Sequence, residues 1–147
     1  MKLIVQRVKK AKVVRMKDQK TVGEIGLGLF VLVGFKKGDS EKEVDLLADK
    51  LSKLRVMSDE QEKMNLSVNA SKGELLVVSQ FTLYADTKRG NRPSFIDAED
   101  PEKAKKLYEL FIEKLREKNI TVETGSFGDY MQIETTLDGP VTIILET

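Results

Sequence analysis

The chain has 147 residues, 40% of them hydrophobic and 33% charged, and its 25 Lys and Arg against 24 Asp and Glu leave a formal net charge of +1. That size suits one hydrophobic core, so a single domain over 1–147 is expected, and the near-balanced charge excludes a general nucleic-acid coat, which works by neutralising many phosphates. With no Cys and no His, disulfides, thiolate nucleophiles, Ser-His or Cys-His pairs and zinc sites built on those ligands are excluded; carboxylates, Lys, Tyr, water or the substrate itself must move any proton.

Leu3, Val5 and Val8 alternate with polar neighbours before Val13 and Val14 resume the apolar set, which predicts a long strand or hairpin over 2–16. This opening, with Lys2 before an alternating segment, does not read as a secretory signal. Lys17-Asp18-Gln19-Lys20 has turn composition, and two strands should follow, Thr21 to Ile25 and Leu27 to Phe35. The apolar run from Gly26 to Phe35 stops at Lys36 after about half the ~20 residues of a membrane helix, and its continuity predicts a buried central strand. A cytoplasmic protein with no membrane partner is expected.

Ser40 and Glu43 form a capping box, and Val44, Leu47, Ala48, Leu51 and Leu54 recur at helical spacing, predicting a helix over 41–55. Residues 59–73 read as a loop with at most a short strand, and 74–84 as a strand. A basic loop over 85–98 follows. Asp100 caps and Pro101 opens a second helix, with Ala104, Leu107, Tyr108, Phe111 and Leu115 as its buried stripe and an end near Asn119. Strands are then expected at Ile120–Glu123, Met131–Thr136 and Val141–Glu146, the last two joined as a hairpin across Leu137-Asp138-Gly139-Pro140. The order predicts an α+β fold, two helices packed on a largely antiparallel, barrel-like sheet.

Two segments stand out chemically. In Ser79-Gln80-Phe81-Thr82 an apolar strand acquires three hydrogen-bonding side chains that alternation cannot all turn to solvent; either the strand is leaving the core or one of them faces a site. In Gly139-Pro140-Val141-Thr142 a proline enters the returning strand and removes a ladder donor, which suits a plain turn, an edge, a bulge or a cis peptide. The basic clusters, Lys9 to Lys20 and Lys88-Arg89-Arg92, are either solvated edges or phosphate-binding patches.

Taken together, Val5-Gln6-Arg7-Val8 at the start, Ser79-Gln80-Phe81-Thr82, the loop Arg89 to Phe95, Phe127-Gly128 before Met131, and Gly139-Pro140-Val141-Thr142 resemble the D-aminoacyl-tRNA deacylases over essentially the whole chain. The resemblance implies hydrolysis of the ester that joins a D-amino acid to the terminal adenosine of tRNA, by a homodimer without a cofactor, with no DNA partner and with the active site at the subunit interface. It implies a catalytic segment Gln80, Phe81, Thr82. It implies a substrate pocket built from Ser79, Arg7, Phe95, Ala98, Phe127 and Met131, with Gly139-Pro140 inserted as a cis peptide from the neighbouring subunit.

On this resemblance, the Gly-Pro carbonyls accept the substrate's α-amino group and leave no room for an L side chain, so D-residues, and glycine carried on tRNA(Ala), should be cleaved. Arg7 is expected to hydrogen-bond those carbonyls. Catalysis is expected either from Thr82 as nucleophile or, better suited to a chain without histidine, from main-chain N–H groups around Gln80 and Phe81 with help from the ribose 2′-hydroxyl. Two positions depart from the family pattern: Leu137 stands where Asn is usual, and Asp129 replaces a small residue. Two rivals fit the residues alone: a non-catalytic RNA-end or nucleotide-binding module using Lys88-Arg89-Arg92, and a structural dimerising domain in which Gly139-Pro140 is a surface turn.

Overall fold

A 14-residue strand, β1 (Lys2–Arg15), organises the sheet in the computed structural model, which describes residues 1–147. One edge of β1 is shared between two partners. Residues 2–8 pair antiparallel with β3 (Gly28–Gly34), and residues 11–15 pair antiparallel with β2 (Lys20–Ile25). Along its other edge runs β8 (Met131–Glu146), antiparallel from Lys2↔Glu146 to Arg15↔Met131.

Beyond β3 the sheet turns parallel. β3 pairs with β6 (Glu74–Ser79), and β6 pairs with β7 (Val122–Thr124). Parallel neighbours need long crossovers, and the two helices supply them: α1 (Glu41–Lys53) lies between β3 and β6, and α2 (Pro101–Arg116) between β6 and β7. The sheet is therefore mixed and nearly closed, with the antiparallel character confined to β1 and its neighbours. A small ribbon pairs β4 (Met57–Ser58), just before the expected 59–73 loop, with β5 (Met64–Leu66), a short strand within it.

The apolar pattern divides the core in two. Leu3, Val5, Leu29, Val31, Leu75 and Val77 face the helices, where Val44, Leu51, Phe111 and Leu115 complete the larger cluster. Phe30, Leu76 and Val78 point the other way, into a smaller cluster with Val8, Ala11, Val13 and Ile25 inside the curl of the sheet. Strands β3 and β6 are thus buried on both faces, which accounts for their continuous apolar runs. Closure brings β2 against β6 and β7: a Cβ on Gly23 would lie 2.4 Å from the Thr124 carbonyl oxygen and 2.8 Å from Leu76 Cδ1, so no larger residue fits without displacing β7.

The capping box forms as predicted, with Ser40 Oγ accepting from Lys42 N–H and Glu43 accepting from Ser40 N–H at 2.8 Å. Three local expectations need correction. The strand expected over 74–84 ends at Ser79, because the chain turns into a 3-10 helix over Phe81–Tyr84. Helix α2 stops at Arg116, and the chain reverses at Asn119 with φ +60°.

The third correction concerns the expected hairpin at 137–140, which does not exist. β8 is one strand, and between the pairs Gln6↔Thr142 and Val8↔Leu137 the segment Asp138 to Val141 swells out opposite Arg7. Both flanks of the bulge pair with the same strand, so the Gly and Pro that suggested a chain reversal mark an interruption in one ladder.

Candidate active site

The end of β6 opens onto a cavity of about 790 Å³, and ten of its nineteen lining residues are hydrophobic. Ser79 and Gln80 reach it from the end of β6, and Phe81 from the first residue of the 3-10 helix. Phe95 and Ala98 line it from the basic loop, Phe127 from the loop after β7, and Met131 from the start of β8. Seven residues expected on resemblance therefore share one cavity. Phe81 and Phe95 meet edge to face at 5.1 Å, and Phe127 packs against Tyr108, whose hydroxyl donates to the Val77 carbonyl at 2.8 Å. The pocket wall is thereby tied to the helix-facing core.

Four expected residues lie elsewhere. Thr82 is exposed on the 3-10 helix, does not line the cavity, and accepts a hydrogen bond from Gln80 Nε2 at 2.6 Å. Arg7, Gly139 and Pro140 lie together at the β8 bulge, where the Gly139-Pro140 peptide is cis. At ~3.3 Å per residue, β8 runs roughly 25 Å from Met131 to Gly139, so the bulge cannot fold back into the cavity of its own chain.

Arg7 does not bond the carbonyls of Gly139 or Pro140. Its Nε donates to the Asp138 main-chain oxygen at 3.2 Å and faces the Asp138 carboxylate at 3.0 Å, while Nη1 donates to the Val56 carbonyl at 3.0 Å and to Ser58 Oγ at 3.2 Å. With only 9% of the residue's surface exposed, the guanidinium is spent within the chain, and it anchors the bulge one residue before Gly139. Gly139 itself adopts φ +133°, which L side chains rarely adopt, and a Cβ there would sit 2.8 Å from Val141 N.

The main-chain donors also need revision. Gln80 N–H is taken by the Val33 carbonyl at 2.7 Å. Phe81 and Thr82, by contrast, open the 3-10 helix, positions whose N–H groups have no partner within it.

Residues that composition did not single out complete the rim: Lys37, Glu99, Asp100, Asp129 and Tyr130. All three carboxylates are committed. Glu99 is held below its ordinary pKa chiefly by Lys103 Nζ at 2.7 Å, with Asp100 and Gly38 N–H groups adding to it. Asp100 caps α2 through Glu102 N–H at 3.0 Å. Asp129 is lowered by Lys17 Nζ at 2.8 Å and by the Ser126 hydroxyl, with Arg15 3.9 Å away. Acceptors engaged in this way are poor general bases at neutral pH. Asp100 was legible only as a helix cap, Glu99 carried no signal, and the cations beside Asp129, Arg15 and Lys17, come from the end of β1 and the turn after it.

The D-Tyr-tRNA(Tyr) deacylase family model matches residues 4–146. D-aminoacyl-tRNA deacylases of Thermotoga petrophila and Aquifex aeolicus are 54% and 49% identical over all of this chain, covering 97% and 98% of their own lengths. Among solved structures, one described as a c-Myc DNA unwinding element binding protein superposes with a TM-score of 0.92 at 40% identity, covering 100% of this chain and 99% of its own. Another, described as a probable eukaryotic D-amino acid tRNA deacylase, shares the fold at a TM-score of 0.86 and 14% identity, covering 98% and 97%. Fold and sequence thus define a hydrolase of the tRNA-proofreading class. The chain belongs to the D-Tyr-tRNA(Tyr) deacylase family, and its reaction is the deacylation of D-aminoacyl-tRNA.

Proposed function

We propose that the chain performs this reaction as a homodimer in which each cavity receives the Gly139-Pro140 bulge of a second copy. The observation that carries the reading is the separation within one chain: the cavity gathers Ser79, Gln80, Phe81 and Phe127, while the rigidly anchored bulge lies roughly 25 Å along β8. The outer edge of β8 is unpaired over its 16 residues, with Leu137 and Ile144 exposed along it, and long unpaired edges are templates for a further chain.

The exposed main chain at Gly139-Pro140 would accept the α-ammonium of the substrate and occupy the volume an L side chain needs, whereas a D side chain points away from it. Handedness would then be read by backbone. Many D-residues would be accepted, and glycine esterified to tRNA(Ala) would not be excluded.

For the chemical step, the commitment of Glu99, Asp100 and Asp129 and the absence of histidine favour a substrate-assisted route. The ribose 2′-hydroxyl beside the ester positions the attacking water, and the Phe81 and Thr82 amides stabilise the developing oxyanion. Thr82 as nucleophile has less support, since its hydroxyl has only Gln80 beside it and no base. A tRNA substrate supports a cytoplasmic location. Dependence on the 2′-hydroxyl separates RNA from DNA, which bears on the DNA-binding description of one structural relative.

Paired D- and L-tyrosyl-tRNA test the reading. The D ester should disappear and the L ester persist, and a terminal 2′-deoxyadenosine should slow D-ester cleavage by about a hundredfold or more. Equal loss of both enantiomers would refute the backbone filter; an unchanged 2′-deoxy rate would refute substrate assistance.

A further inference from the structure

The loop that brings Phe95 to the cavity begins as a projecting arm. Asp86 and Ser94 exchange both main-chain hydrogen bonds, at 2.7 and 2.9 Å, so the residues between them form a closed hairpin. Its tip turns at Gly90, with φ +70° and no neighbouring atom within 4 Å of where a side chain would start, so the tip stands clear in solvent. Lys88, Arg89 and Arg92 are all exposed there, three cations within five positions. Arg15 and Lys17 pair with Asp129 and Lys103 pairs with Glu99, whereas the arm's three cations form no ion pair, and neither does Lys37 on the cavity rim beside them. The one carboxylate in the arm, Asp86, accepts Lys88 N–H at 2.9 Å within the turn. The returning limb is fixed to the end of β3 by Lys37 N–H donating to the Asp97 carbonyl at 2.9 Å, which holds the arm at the cavity mouth.

We propose that this arm is an RNA-backbone clamp, in which Lys88, Arg89 and Arg92 grip the phosphates of the single-stranded acceptor end leading into the cavity. The inference rests on the cavity being the ester site: a terminal adenosine seated there lies against Phe95, at the base of the arm, which puts the arm within reach of the nucleotides that precede it. Arginine forks match phosphate oxygens bidentately, and a lysine adds a mobile point charge. With a net charge of only +1, the chain has no general coat to supply affinity, so a local cluster at the exit must. The clamp contributes to tRNA affinity and leaves the ester untouched.

Uncharged tRNA binding, measured across a salt series for the unmodified protein and for the triple variant Lys88→Ala, Arg89→Ala, Arg92→Ala, tests the clamp directly. Each lost phosphate contact on a single strand lowers the slope of log affinity against log salt by about 0.7, so the triple variant should lose about 2 in slope and about tenfold or more in affinity. Arg89→Glu alone should weaken binding further than Arg89→Ala. KM for D-aminoacyl-tRNA should rise in parallel at unchanged kcat, while D-aminoacyl-adenosine, which ends at the cavity, should be cleaved as before. Unaltered tRNA affinity and salt slope would overturn the clamp, as would a triple variant that loses D-aminoacyl-adenosine cleavage, because the arm would then act on the cavity. Arm-dependent tRNA binding by an unmodified protein that leaves D-aminoacyl-adenosine intact would support the clamp and refute the ester-site reading.

Discussion

Arg7 Nε donates to the main-chain oxygen of Asp138 and also faces its carboxylate at 3.0 Å, so one guanidinium grips the residue before Gly139 by backbone and side chain together. The same guanidinium reaches back to Val56 and Ser58 on the helix-facing side of the sheet. The exposed bulge is therefore anchored in the interior of the chain, as the proposed presentation of a rigid element to a second copy requires.

Replacing Arg7 should separate charge from geometry. Lysine keeps the charge but cannot span the Asp138, Val56 and Ser58 oxygens at once. Arg7→Lys should lower stability by about 2–3 kcal/mol, because buried acceptors lose their donor, and should erode the ratio of D- to L-ester cleavage. Denaturant unfolding and paired-enantiomer assays read the two effects; unchanged selectivity in a destabilised variant would detach Arg7 from the filter.

Thr82→Ala should retain D-ester turnover within about tenfold, since it removes only an acceptor for Gln80 Nε2. A fall of about a thousandfold or more with tRNA binding intact would assign Thr82 as the nucleophile.

Asp129 ties the loop carrying Phe127 to the β1–β2 turn, and Lys17 and Ser126 hold its carboxyl below the ordinary value of 3.8. A carboxylate with a depressed native pKa contributes stability fully above its unfolded pKa and loses it as pH falls through the native one. The unmodified protein should therefore lose stability relative to Asp129→Asn on acidification below about pH 4, with no divergence between them at higher pH. Urea unfolding across that range measures it, and parallel curves throughout would show that the pairing is not realised.

Tyr84 presents the opposite case. Its hydroxyl is buried without a partner, and burial pushes its pKa upward. Removing an unsatisfied buried group costs nothing, so Tyr84→Phe should raise stability by about 1 kcal/mol. A loss of stability would mean that the hydroxyl has a partner in the assembled protein.

Local chemistry makes much of the fold legible in the sequence. The Ser40–Glu43 box, Pro101 at the first turn of α2 and the apolar run of β3 each satisfy a short-range rule and each formed where expected, while β6 began where expected and ended early at Ser79. What escaped depends on pairings distant in sequence. Asp138 to Val141 has turn composition, and only its register with Arg7, 131 residues away, makes it a bulge within β8. The parallel pairing of β3 with β6 leaves no local mark either, because buried strands of both kinds read as apolar runs. The site was partly legible: the cavity unites seven expected residues, but the loss of the Gln80 amide to Val33 and the anchoring of Arg7 on Asp138 are properties of the folded backbone.

Complementation between two damaged chains tests the shared site most directly. Ala98→Phe fills the cavity and leaves the bulge intact; Gly139→Ala forces a Cβ within 2.8 Å of Val141 N and leaves the cavity intact. Each variant alone should fail to clear D-tyrosyl-tRNA. Refolded together, half of randomly paired dimers would be mixed and each would hold one intact site, so about one quarter of unmodified turnover should return. If the mixture stays as inactive as its parts, or if Gly139→Ala alone still distinguishes D from L, the bulge of a second copy does not decide handedness.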